Sequence, residues 1–158
     1  MNGTVRISTA PIDTAAETAA LPKEKNVGAV VTFSGICRAD EKGEKIAALS
    51  LEHYPGMAEA EIEGHVREAE TRWPLLGVRV VHRTGRIVPG ETIVLVAVAS
   101  AHRQAAFAAA EFLMDYLKTK APFWKKVEAA GVMHWVEAHE KDDKAAARWK
   151  APTRDAAE

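Results

Sequence analysis

Two spacings of apolar residues alternate along this chain. At 48–54, "ALSLEHY", the step is two: Leu49, Leu51 and His53 fall on one face and Ser50, Glu52 and Tyr54 on the other. That is the mark of a half-buried strand, which the turn pair Pro55-Gly56 ends. The step then changes to three and four, and Ala58, Ile62, Val66, Ala69 and Trp73 line one stripe of a helix that Pro74 stops. The same two signals divide the rest of the chain. "TVRIS" at 4–8 alternates like a short edge strand, and Asp13 with Glu17 suits the first turn of a short helix that "LPKEKN" ends. "GAVVTFSG" at 28–35 reads as a buried strand, and "RADEKGEK" at 38–45, charged and without a period, as a mobile loop. "VRVVHR" at 78–83 and "ETIVLVAVAS" at 91–100 read as strands around the Pro-Gly turn of "IVPGE"; the second is apolar on both faces, which places it centrally in a sheet. From Ser100, as N-cap, the spacing predicts a helix with Ala106, Phe107, Ala110, Leu113, Met114 and Leu117 on one stripe, ending at Ala121-Pro122. "MHWVEA" at 133–138 is a last short strand, and the charged, alanine-rich stretch from Glu140 a loose helix that frays. With no internal repeat and no linker, strands and helices mix in one α+β unit over residues 1–150, followed by a polar tail at 151–158.

Composition narrows the function classes. The chain has 158 residues, 47% of them hydrophobic, enough to build a core, and a formal net charge of -1. A near-neutral protein has no long-range field for non-specific binding to nucleic acid or an acidic membrane, so any anion site must be local. The longest apolar run, "IVLVAVA" at 93–99, is far too short to span a bilayer, and the first residues lack the basic and apolar regions of a leader, so a cytoplasmic protein is expected. Cys37 is the single cysteine, which rules out an intrachain disulfide and a multi-cysteine metal cluster. The six histidines show no metal-ligand spacing; neither a metal site nor a cofactor is expected.

Against that neutral background, "LKTKAPFWKK" at 117–126 gathers four lysines around an Ala-Pro break and two aromatics. Lys118 sits at the border of the apolar stripe, where burial and neighbouring cations would lower its pKa. Beyond the break, Phe123 and Trp124 would anchor the next segment in the core and fix where Lys125 points. The plainer alternative pairs Lys118 with Asp115 at i,i+3 and leaves Lys120, Lys125 and Lys126 solvated. In "SAHRQ" at 100–104, His102 and Arg103 add cations to a helix start that already favours anions, as a phosphate site would; the alternative is that His102 caps or packs and Arg103 faces solvent. Arg38, at the mouth of the charged loop, is either a third anion-binding group or an ordinary surface arginine. Cys37 reads as a small, partly buried residue and not a nucleophile, since no neighbour in sequence is placed to activate it.

Taken together and in order, "GAVVTFSG", "LEHYPGM", "RWPL", "HRTGRIVPGE", "SAHRQAAF" and "FLMDYLKTKAPFWKK" resemble the large, catalytic subunit of molybdopterin synthase, over about Val27 to Trp149. The resemblance implies an α/β hammerhead-like fold with an added antiparallel β subdomain. It implies sulfur transfer to cyclic pyranopterin monophosphate from the C-terminal Gly-Gly thiocarboxylate of a small ubiquitin-like carrier subunit, two transfers making the dithiolene of molybdopterin. It further implies Lys118 and Lys125 as catalytic residues and Arg38, His102 and Arg103 as substrate-binding residues, the latter group reaching across a homodimer within a heterotetramer. Lys118 would contact the thiocarboxylate and the attacked carbon, and Lys125 would orient substrate and stabilise negative charge. Two departures from the family pattern, Val127 ahead of Glu128 and His139 where arginine is frequent, leave Glu128 and His139 outside that site. Two other functions compete: a non-catalytic adaptor that clamps a ubiquitin-like tail, and a lysine Schiff-base lyase acting on a phosphorylated carbonyl compound.

Overall fold

The computed structural model describes residues 4–119, 123–136 and 140–150. Along the chain it runs β1 (Val5–Ser8), α1 (Thr14–Ala19), β2 (Ala29–Ile36), β3 (Asp40–Glu41), β4 (Glu44–His53), α2 (Met57–Arg72), β5 (Leu75–Arg83), β6 (Gly85–Ile87), β7 (Thr92–Ser100), α3 (Arg103–Thr119), β8 (Phe123–Ala129), β9 (Val132–Val136) and α4 (Glu140–Ala147). The result is an α+β fold of two sheets. The first has the order β1-β5-β7-β2, with β1 parallel to β5 and the other pairs antiparallel; the second, wholly antiparallel, has the order β3-β4-β8-β9, with β6 also paired to β4.

Each sheet has its own core. Helices α2 and α3 cover one face of the first sheet: Ile62, Val66 and Ala69 of α2 and Ala106, Ala109, Ala110, Phe112 and Leu113 of α3 pack on Val78, Val80, Val94, Val96 and Val98. Burying the larger of these, Ile62, Val66, Phe112 and Leu113, contributes about 1.5–3 kcal/mol each, and the alanines let the helices lie close to the sheet. As its double-sided apolar run requires, β7 lies centrally. In the second sheet Ile46, Leu49, Leu51, Ile87, Val127, Ala129 and Cys37 form a smaller cluster.

Several expectations change. "GAVVTFSG" is an edge strand and not a buried one: Val30, Phe33 and Ile36 of β2 are exposed, because no strand lies beyond it among the described residues. The charged segment at 38–45 is a hairpin, not a mobile loop; Lys42 (φ 51°) and Gly43 (φ 82°) make the two-residue turn whose left-handed backbone matches strand twist. Ser100 is not an N-cap. It ends β7, fully buried, and its hydroxyl donates to the Pro74 carbonyl at 2.9 Å, so α3 starts only at Arg103. The stripe of α3 keeps Ala106, Ala110 and Leu113 buried and adds Ala109 and Phe112, whereas Phe107 is 61% exposed. Gly28 allows β2 to begin against this turn, since a Cβ there would sit 2.2 Å from the Ala101 carbonyl oxygen. The Ala121-Pro122 break, Lys120 and His139 lie outside the described residues.

On the opposite face of the first sheet, α1 is held by charge. Asp13 caps it by accepting from the Ala16 N–H at 3.0 Å, and the buried Glu17 carboxylate takes Arg79 Nε at 2.6 Å and the guanidinium of Arg6. Removing one partner of such a cluster leaves the others desolvated and unmatched. Glu17→Ala should therefore lower unfolding stability by about 2–3 kcal/mol in urea titrations. An unchanged midpoint would show that the cluster is energetically idle.

Candidate active site

Strand β8 carries the site because its pleat sorts neighbouring residues to opposite faces. Phe123, Lys125 and Val127 face inward, opposite His53, Leu51 and Leu49 of β4. Trp124, Lys126 and Glu128 face outward, and surface partners occupy them. Trp124, still 40% exposed and so not the core anchor that was expected, meets Tyr54 edge-to-face at 4.7 Å. The Lys126 ammonium lies 4.4 Å from the Trp135 ring centroid and 3.4 Å from Glu52, and Glu128 pairs with Arg86 at 3.4 Å.

Phe123 is the anchor by itself. It packs against the first core although it begins a strand of the second sheet, and His82 at the end of β5 stacks on it with ring centroids 4.0 Å apart and planes 15° apart. His53 meets the same ring, tilted, at 6.1 Å. This stack closes the junction between the sheets directly beside the lysines.

Lys125 is half-buried there. Burial, first of all, holds its pKa below the ordinary lysine range; the cations of Lys118 and Arg38 act in the same direction, and Glu41 and Cys37 oppose them. Lys118, in the last turn of α3, is exposed, so the partial burial expected of Lys118 belongs to Lys125 instead. Nor does Lys118 pair with Asp115, whose carboxylate is taken by Arg148 and Trp149. Neither Lys118 nor Lys125 forms an ion pair among the described residues. Arg38, with a side chain 72% exposed, reaches Glu41 at 3.8 Å across the hairpin mouth. The fold thus brings Arg38, Lys118 and Lys125 together. It does not bring His102 and Arg103 to them: both are exposed at the opposite end of α3, and fifteen residues of helix separate Arg103 from Lys118, about 22 Å.

Cys37 is closed off, 2% exposed, with its thiol turned to the carbonyls of Arg38 (3.7 Å) and Ile87 (3.8 Å). Burial pushes the thiol pKa up, with Lys125 opposing and Glu91 adding, so the thiolate is disfavoured. His82 is the residue that sequence reasoning passed over. Its step of two from Val78 and Val80 marks an inward position, but its stacking partner lies far along the chain. Burial drives its pKa down to about 4, with smaller downward pushes from Lys118 and His53 and an opposing one from the hydrogen bond to Arg83. That bond, Nδ1 to the Arg83 carbonyl at 2.9 Å, places the proton of the neutral ring on Nδ1. Among the described residues no group of three or more His, Cys, Asp or Glu could hold a metal ion.

Fold and site together define the class: a two-sheet α+β protein with Lys118, Lys125 and Arg38 at the sheet junction and a shielded thiol beside them. Known proteins give the class a family. The MoaE protein family model matches residues 7–120. The molybdopterin synthase catalytic subunit of Mesorhizobium japonicum is 61% identical over 151 residues, 94% of this chain and 94% of that protein. That of Escherichia coli is 54% identical over 122 residues, 77% and 81% of the two chains. Among solved structures, a molybdopterin biosynthesis MoaE protein from Burkholderia ambifaria superposes with a TM-score of 0.80 at 47% identity, covering 94% of this chain and 98% of that one. Molybdopterin synthase from Staphylococcus aureus superposes with a TM-score of 0.78 at 32% identity, covering 83% and 95%. The chain belongs to the MoaE protein family, as the six ordered motifs implied.

The neutral, buried His82 has a testable consequence. Its folded pKa of about 4 lies below the 6.5 of an unfolded histidine, so the unfolded chain binds the extra proton first. The stability that His82 contributes is complete above pH 6.5 and is lost as pH falls toward 4. The loss should reach about 3 kcal/mol. His82→Phe should flatten this part of the stability–pH curve measured by urea denaturation; an unaltered slope would show that other groups carry it.

Proposed function

We infer that this chain transfers sulfur from the C-terminal thiocarboxylate of a small ubiquitin-like carrier subunit to cyclic pyranopterin monophosphate, forming the dithiolene of molybdopterin in molybdenum cofactor biosynthesis. The observation that carries this reading is the pair of lysines, Lys118 and Lys125, which form no ion pair among the described residues and lie beside a thiol that is buried and protonated. A sulfurtransferase whose own sulfur is inaccessible must receive sulfur from outside. The incoming thiocarboxylate and the substrate phosphate are both anions, and unpaired cations offset their repulsion.

Roles follow from exposure. Lys118, exposed at the end of α3, meets the carrier's anionic tail. Lys125, half-buried with a lowered pKa, is the lysine suited to move a proton and to steady negative charge as the thiocarboxylate sulfur bonds to the pterin carbon and water cleaves the carrier's acyl C–S bond, releasing the carrier as its carboxylate. Arg38 adds a third cation at the hairpin mouth. His102 and Arg103 bind the substrate's anionic groups in a second copy of the chain, because their own Lys118 is about 22 Å away along the helix. The working unit is then a homodimer bearing two carriers, in the cytoplasm.

The same reading extends to architecture. The fold is taken as α/β hammerhead-like with an added antiparallel β subdomain, supported by the separate core of the all-antiparallel second sheet. Residues 1–150 act as one domain, supported by the docking of Trp149 on α3; the polar tail expected at 151–158 lies outside the described residues.

Single-turnover conversion of the pterin precursor by thiocarboxylated carrier tests the reaction. Lys118→Ala and Lys125→Ala should each slow it well over tenfold, a loss of roughly 2–4 kcal/mol of transition-state stabilisation, with melting temperature not lowered. Cys37→Ser should stay near wild type. If both lysine variants convert precursor normally, the catalytic assignment of the lysines is wrong; if they fail only because the carrier no longer binds, the adaptor reading gains.

The shared site has its own check. Lys118→Ala and Arg103→Ala proteins, each impaired alone, should regain up to about a quarter of wild-type activity when co-expressed as mixed dimers, since one junction in each mixed dimer is intact. No recovery would rule out a site shared between two copies of the chain.

A further inference from the structure

Lys118 follows Asp115 by three residues, a spacing at which acid and base on one helix ordinarily meet. Here the Asp115 carboxylate is engaged from outside the helix: Oδ2 accepts from Trp149 Nε1 at 2.6 Å and from Arg148 Nη2 at 2.9 Å. Arg148 also reaches Glu111 Oε1 at 2.7 Å, one turn earlier on α3. Trp149 is itself seated, 8% exposed, edge-to-face with Trp73 and Phe112 at 5.6 Å each, and its carbonyl accepts from Arg72 Nη2 at 2.6 Å. Residues 148–149 therefore strap the end of α2 to the last turns of α3.

We propose that this strap is a positioning device that keeps Lys118 free of its own helix's carboxylate, so that the ammonium is presented to an anionic reactant. The proposal rests on the catalytic reading of Lys118 given above. The physical competition is unequal. A rigid indole, already ordered by two aromatic neighbours, and a guanidinium held at two carboxylates lose little freedom in bonding Asp115, whereas a lysine side chain would lose much more. Asp115, Arg148 and Trp149 are positioning residues and touch no reactant. What they set is whether Lys118 enters the reaction as an unpaired cation or as half of an ion pair.

The test is made on the full chain. Arg148→Met with Trp149→Phe removes both donors while keeping apolar bulk, and Asp115→Asn is then added to that background. One readout does not depend on turnover: the rate at which trinitrobenzenesulfonate labels Lys118, read by peptide mass spectrometry against exposed Lys23. Freed Asp115 should pair with Lys118 and slow its labelling at least threefold, and single-turnover product formation should fall at least fivefold. Adding Asp115→Asn should return both to within twofold of wild type, a rescue that a merely structural strap could not give. If the double variant does not fold, Arg148→Met alone, with and without Asp115→Asn, must show the same pattern at smaller amplitude. Wild-type labelling in the strap variants, or failure of Asp115→Asn to rescue a folded protein, overturns the proposal. If the labelling pattern holds while wild-type protein makes no dithiolene, the strap stands and the sulfur-transfer reading falls.

Discussion

The stacking of His82 on Phe123 is the contact on which the rest of the site depends. Two hydrophobic clusters, one under the helices and one inside the antiparallel sheet, would otherwise be separate bodies joined by chain connections. Phe123 belongs to the first by packing and to the second by hydrogen bonding, so it fixes the register of β8 at the junction. Two residues later the same pleat turns Lys125 inward. Burial, with a smaller push from the Lys118 charge, disfavours a charged imidazole there, which is why His82 is held neutral. The aromatic contact and the desolvation of Lys125 are two results of one close approach.

That approach sets the electrostatics. Cations gathered in water repel weakly, but at a half-buried junction their mutual effect is large enough to help move the Lys125 pKa. Several charges have partners, as Lys126 with Glu52, Arg86 with Glu128 and Arg83 with Glu91 show. Lys118 and Lys125 stand outside this pattern. Cationic charge left unmatched in a folded protein costs stability, and an anionic ligand relieves that cost on binding.

Local signals were reliable where one element decides its own shape. The α2 stripe of Ala58, Ile62, Val66 and Ala69, the Asp13 cap, the central β7 and the alternation of β4 follow from spacing that neighbours in sequence enforce. They misled where a distant partner decides. Ser100 has the chemistry of a cap, but strand pairing continues through it and Pro74 takes its hydroxyl. "GAVVTFSG" has the apolar content of a buried strand, yet burial is conferred by a next strand that the sheet does not supply. The two-residue β3 is too short to show any period, so the Lys42-Gly43 hairpin looked like a loop.

For the candidate site, the sequence by itself determined which chemistry was present: one cysteine, lysines crowded around an aromatic pair, a His-Arg pair opening a helix, and six ordered motifs that define a family. These are matters of residue type and linear spacing. Only the tertiary structure decided which lysine is desolvated, that Phe123 and not Trp124 is the anchor, that His82 lines the junction, and that Asp115 is occupied from the far end of the chain. Burial and charge coupling act through space within a few ångströms, and residue 82 meets 123, and 115 meets 149, only when the two sheets and the helices close on one another.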